Sequence, residues 1–177
     1  MSTLVLYYSK AGSNKYLAQK IADELNCPIE EIKPRLNSRI LMMMGVNFGN
    51  RKLKSAIKDY ARVILCGPIW MGKLIVPLRN FFKRHSDKVS KMIFVTCCGS
   101  TFNDKDNKFG HGLVFKEVPQ IMTARCLHCE AFPIGLVMPE GKKEDPDAFM
   151  KTHLNDDNFK GEIVDIYTAF LKKLEAL

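Results

Sequence analysis

Apolar segments recur along the chain at 4–8, 28–32, 62–66, 92–97 and 125–137, with amphipathic stretches between them. Three of the five are nearly continuous apolar runs, such as Val63-Ile64-Leu65-Cys66, rather than alternating patterns. Strands buried on both faces of a parallel sheet require such runs. Residues 15–25 put Leu17, Ala18, Ile21, Ala22 and Leu25 on one helical face, and 161–174 do the same with Ile163, Ile166, Tyr167, Phe170, Leu171 and Leu174. Segments 74–83 and 114–122 read as two further helices, and 51–59 as a weaker one. The alternation predicts an α/β fold with a doubly wound, five-stranded parallel sheet flanked by helices. Two irregular stretches, 34–50 and 139–158, fall outside this scheme.

A length of 177 residues suits one domain spanning 1–177 with one sizeable core. Apolar residues make up 46% and charged residues 26%, a composition that folds rather than stays disordered. The start of the chain lacks the pattern of a signal peptide, and no apolar run approaches the roughly 20 residues needed to span a bilayer. A cytoplasmic protein is expected, and reduced cysteines fit that compartment. Cys126-Leu127-His128-Cys129 is a Cys-x-x-Cys match in strand-like surroundings, but no second pair or Cys/His cluster completes a zinc site. Alternation in a strand would point Cys97 and Cys98 to opposite faces. Packing is the expected role of these thiols.

The net charge of +8 is uneven, with sixteen Lys or Arg against six Asp or Glu in residues 1–88. Within 33–62, Lys33, Arg35, Arg39, Arg51, Lys52, Lys54, Lys58 and Arg62 face one acid, Asp59. Such a stretch steers anionic ligands or is a solvated face. No nucleic-acid motif or interleaving of basic and aromatic residues accompanies it, so nucleic acid is not expected as a partner. Acids in 139–158, among them Glu140, Glu144, Asp145, Asp147, Asp156 and Asp157, are expected to meet the basic half of another subunit if the protein is a homodimer.

Three loops follow the carboxyl ends of predicted strands, where a doubly wound sheet holds its ligand. In the first, Ser9, Lys10, Ala11, Gly12, Ser13 and Asn14 lead into a helix N-terminus, whose open N–H groups and dipole suit a phosphate. Serine and asparagine are equally ordinary helix caps. In the second, Pro68, Ile69, Trp70, Met71 and Gly72 form a Pro-x-Trp-x-Gly turn; in the third, Cys98, Gly99 and Ser100 form a small-residue loop. His111, between Gly110 and Gly112, could reach the same place or serve as a cap or surface residue, while His85, His128 and His153 read as structural. The Gly-x-Gly-x-x-Gly and glycine-Lys-Ser/Thr phosphate loops, a Ser-His-Asp context, a Gly-x-Ser-x-Gly elbow and a His-Glu-x-x-His helix are all absent, which argues against nucleotide triphosphatase and hydrolase readings.

Ser9-Lys10-Ala11-Gly12-Ser13-Asn14 after an apolar strand resembles the Thr/Ser-x-Thr-Gly-x-Thr loop of the flavodoxin family, and Cys66-Gly67-Pro68-Ile69-Trp70-Met71-Gly72 resembles its Gly-Thr-Pro-x-Trp/Tyr-x-Gly. The resemblance implies a flavodoxin-like strand order of 2-1-3-4-5 and FMN as cofactor. Ser9, Gly12, Ser13 and Asn14 would then contact the phosphate by hydroxyl, amide or backbone N–H, with Lys10 adding charge. Trp70 would stack on or edge the ring, with a backbone group near Met71 or Gly72 at its N5. Cys98, Gly99 and Ser100 would place backbone donors at its pyrimidine edge. Ala11 and Asn14 stand where the family has hydroxyl residues.

An FMN oxidoreductase follows, either an NAD(P)H-dependent reductase of quinone-like acceptors or a one-electron carrier between redox protein partners. Small carriers of the family are typically acidic, which the +8 charge opposes. Met42, Met43 and Met44 could line an apolar acceptor site, or pack in a helix or interface. The alternative is a flavin-free binding or regulatory module that keeps the fold.

Overall fold

In the computed structural model, which describes residues 2–36, 46, 48–143 and 145–177, the predicted strands assemble into one parallel sheet. Its strands are β1 (Thr3–Tyr7), β2 (Ile29–Glu31), β3 (Arg62–Cys66), β6 (Met92–Cys98) and β7 (Cys126–Pro133). They lie in the order β2-β1-β3-β6-β7, which is 2-1-3-4-5 for five strands counted along the chain. Between β3 and β6 the chain makes a two-stranded hairpin, β4 (Ile69–Trp70) and β5 (Lys73–Leu74).

The apolar runs are continuous because both sheet faces are covered. Leu4, Leu6, Val63, Leu65, Met92 and Phe94 point to one side, under α2 (Val76–His85) and α3 (Gly112–Met122). Val5, Ile64, Cys66, Ile93, Val95 and Cys97 point to the other, under α1 (Ser13–Glu24) and α5 (Glu162–Ala176). Leu17, Ala18, Ile21 and Ala22 of α1, and Ile163, Tyr167, Phe170 and Leu174 of α5, are the buried helical faces, as their spacing predicts. Below the sheet, the buried Arg62 guanidinium donates to the Leu174 carbonyl (2.6 Å) and the Thr3 hydroxyl (3.3 Å), tying the last helix to the amino ends of β1 and β3.

Three expectations need correction. Residues 51–59 hold only a 3-10 turn, Ile57–Asp59, because the Glu30 carboxylate accepts from the backbone N–H groups of Lys54 (2.6 Å) and Ser55 (2.9 Å) and fixes an extended chain there. The fifth strand ends at Pro133, whose ring cannot donate to a continuing ladder, and a 3-10 turn, Ile134–Val137, follows. The stretch 139–158 contains α4 (Pro146–Lys151), started by the Asp145 side chain accepting from the Asp147 and Ala148 N–H groups. Arg39, Met42, Met43, Met44 and Glu144 lie outside the described residues. No helix among the described residues is long and apolar enough to cross a membrane.

Candidate functional site

The strand order reverses direction at β1, so the chain leaving β1 turns to one face of the sheet and the chain leaving β3 to the other. The loops 8–12, 67–72 and 99–111 all leave carboxyl ends around this point. In the first, the Ser9 hydroxyl accepts from Gly12 N–H (3.1 Å), folding the loop over itself. Gly12 has φ 104, a conformation that suits glycine, and a Cβ there would meet nothing within 4 Å. Lys10, Ala11 and Gly12 are exposed.

Capping does not explain Ser13 and Asn14. No side chain caps α1, and its first turn holds no acid, so the positive end of the helix is left open at this mouth. Both side chains turn inward instead. The buried Asn14 amide donates to the Cys97 carbonyl (3.2 Å) and accepts from the Cys97 N–H (2.8 Å). The Ser13 hydroxyl accepts from Leu154 N–H (3.1 Å). What Asn14 can still present to a phosphate is backbone N–H, while Ser13 keeps its backbone N–H and the proton of a hydroxyl that accepts from Leu154.

The second loop is the β4–β5 hairpin, with Met71 (φ 50) and Gly72 (φ 69) at its tip. Two consecutive positive φ values make the tight turn that matches strand twist; Gly72 suits one of them, while Met71 holds the other in a conformation uncommon for a residue with a side chain. Pro68, Ile69 and Trp70 are half-buried, the latter two against the α2/α3 side of the core, while Met71 is exposed. Trp70 is therefore neither a buried core aromatic nor a free one. A Cβ on Gly72 would sit 2.7 Å from the Lys108 carbonyl, so the hairpin lies directly against the third loop.

That third loop is organised around His111, which is 2% exposed and so is not the surface residue that a helix start suggests. Its Nδ1 lies 2.7 Å from the Ser100 hydroxyl and 3.6 Å from the Cys98 sulfur, and its N–H donates to the Ser100 hydroxyl (3.1 Å). Burial and the Lys105 ammonium lower its pKa, so the ring is neutral near pH 7. Burial pushes the Cys98 thiol up to about 11, which leaves it protonated and a poor nucleophile. Gly110 is required by the close Lys105 carbonyl, and Gly112 N–H donates to the same oxygen (2.7 Å).

The segment 145–158 closes this end from the α1 side. Phe149 lies against Gly99, whose added Cβ would lie 2.9 Å from the ring, and Leu154 is buried beside Ser13. Asp156 accepts from the Tyr16 hydroxyl (2.8 Å) and pairs with Lys20 (3.9 Å). Two of the acids expected to face another subunit, Asp145 and Asp156, are thus used within the chain. The three loops are linked to one another: Asn14 joins the first to β6, and Gly72 joins the second to the third.

The basic stretch 33–62 divides. Arg62 is buried below the sheet, while Arg51, Lys52 and Lys58 join Lys83, Arg84 and Lys88 around a groove of about 630 Å³ beside α2. The groove has no residue of the three loops in its lining. His85 packs on Phe81, and His128 pairs with Glu130 (2.8 Å), as structural residues do. Among the described residues, no group of three or more His, Cys, Asp or Glu side chains is arranged to hold a metal.

Comparison with known proteins matches residues 4–133 to a family described as flavodoxin domain. A flavoprotein from Lactobacillus acidophilus NCFM, crystallised in complex with FMN, superposes with TM-score 0.60 at 15% identity, covering 73% of this chain and 92% of its own. A candidate flavoprotein from Bacteroides eggerthii DSM 20697 gives TM-score 0.57 at 18% identity, over 73% of this chain and 87% of its own. No curated protein matches the chain in sequence.

Proposed function

Since the chain belongs to the flavodoxin domain family, we propose that it binds FMN across the loops at the carboxyl ends of β1, β3 and β6 and acts as an oxidoreductase. The observation that carries this reading is the uncapped start of α1 beside an open Gly12. A helix end with unpaired N–H groups and no acid accommodates a phosphate without displacing a protein partner. The residues present fit the group, with the phosphate held mainly by backbone N–H groups of the first turn and by the Lys10 charge. FMN supplies hydride or single-electron transfer when bound.

This chain's own residues supply position. Trp70 presents an aromatic edge on a hairpin whose tip is fixed against the third loop. The neutral His111 holds Ser100, and so sets the direction of the backbone from Cys98 to Ser100. Phe149 lies against Gly99 and leaves no room for a side chain there. The cationic groove by α2 attracts anions but shares no residue with the three loops, so the oxidoreductase proposed is either an NAD(P)H-dependent reductase of quinone-like acceptors or a one-electron carrier. The inward commitment of Ser13 and Asn14 favours a second reading, a flavin-free module that keeps the fold.

Purified protein equilibrated with excess FMN and freed of unbound flavin separates the two. A retained flavin band with quenching of Trp70, the single tryptophan, supports the redox reading. No retained band and no quenching overturns it. NADPH consumption with a quinone then distinguishes a reductase from a carrier.

A further inference from the structure

The amino end of β7, at the opposite end of the sheet from the loops, carries Cys126-Leu127-His128-Cys129. In a regular strand, residues three apart face opposite sides of the sheet. Here the register with β6 slips: Cys126 pairs with Met92, but His128 pairs with the next residue, Ile93, and Cys129 with Phe94. The bulge adds one residue on β7, so Leu127 turns to the α5 side and His128 lies against Phe170 of that helix. Cys126 and Cys129 consequently share the α2/α3 side, against the core. Their sulfurs are 3.8 Å apart. Both thiols are half-buried on an edge strand, whereas Cys66, Cys97 and Cys98 are buried.

We propose that Cys126 and Cys129 form a reversible dithiol–disulfide couple that exchanges with low-molecular-weight disulfides, Cys126 attacking first and Cys129 resolving. The sulfurs need to approach by a little under 2 Å to reach bonding distance, within the reach of side-chain rotation. The contact also divides the labour. The Cys129 S–H holds the Cys126 thiol below its ordinary range against the opposing effect of burial, and the same contact together with burial pushes Cys129 up. The thiolate is the attacking species, so the first step falls to Cys126.

Cys126 sulfur attacks one sulfur of an external disulfide RSSR, forming a mixed disulfide and releasing RS⁻, which takes the proton Cys126 gave up. Cys129 then loses its proton and attacks the Cys126 sulfur, and a second RSH leaves. The protein dithiol is oxidised by two electrons and RSSR is reduced to two RSH. No step involves the flavin, so the couple is tested independently of the FMN reading.

The full chain, reduced and then incubated under native conditions with oxidised glutathione, gives the test by intact-mass and peptide mapping. Wild type is expected to lose two hydrogen atoms, to yield a peptide linked between Cys126 and Cys129, and to recover both thiols with dithiothreitol. Cys129→Ser is expected to accumulate one glutathionyl group on Cys126, at least about tenfold faster than Cys27 acquires one. Cys126→Ser is expected to leave Cys129 unmodified. Free thiols at both positions in oxidised wild type, a link that forms only in denaturant, or a Cys129→Ser adduct on Cys27 rather than Cys126 would each overturn the proposal.

Discussion

Replacing Asn14 with alanine asks whether this side chain serves the fold or a bound phosphate. The amide makes both a donor and an acceptor bond to the Cys97 main chain, at 3.2 and 2.8 Å, in a place where Asn14 is 4% exposed. Alanine removes both partners and leaves a buried N–H and a buried carbonyl without them. A buried backbone group without a partner costs about 1–3 kcal/mol. The carbonyl's second lone pair softens its share, so the expected loss is about 2–4 kcal/mol in total. For a chain of this size that lowers the melting temperature by roughly 10 °C. Urea unfolding of the flavin-free protein reads it directly, as a lower midpoint at unchanged slope. Asn14→Asp should do no better than alanine, because its second oxygen faces the Cys97 carbonyl and its charge is buried. An unchanged urea midpoint together with weakened FMN binding would refute the reasoning and return Asn14 to the phosphate.

Three other outcomes are expected. Gly72→Ala places a Cβ at φ 69 and 2.7 Å from the Lys108 carbonyl, and should cost about 1–3 kcal/mol, seen as a lower urea midpoint and a shift of Trp70 emission to the red. Arg62→Met removes the bonds to Leu174 and Thr3, and should cost about 1–3 kcal/mol with faster amide exchange in the last turn of α5. His111 and His85 both have pKa values lowered in the folded state, chiefly by burial and with nearby lysines adding to it. The unfolded chain therefore takes up protons first as pH falls below the ordinary histidine value, and stability should drop between about pH 7 and pH 5. His111→Gln should flatten that drop when urea midpoints are compared across the range.

The residues that local rules govern were readable in the chain itself. Apolar runs at 63–66 and 92–95 require cover on both faces, and with helical patterns alternating between the strands they point to a parallel sheet between two helical layers. Glycines at 12 and 72 mark backbone that needs positive φ beside a strand end, which located two of the three loops. Side-chain direction in those loops was a different matter. Whether Asn14 faces a phosphate or Cys97 is settled by a partner 83 positions away, and whether Ser13 is free is settled by Leu154, 141 positions away. The same holds for the carboxylate of Glu30, which unwinds 51–59 from a neighbouring strand. His111 is buried because Phe102, Phe115 and the Cys98–Ser100 loop close around it. A single slip of register between β6 and β7 puts Cys126 and Cys129 together, although their spacing in a regular strand would part them. Periodicity carries the direction a residue faces within its own element, and only packed tertiary contacts decide which of its polar atoms remain free.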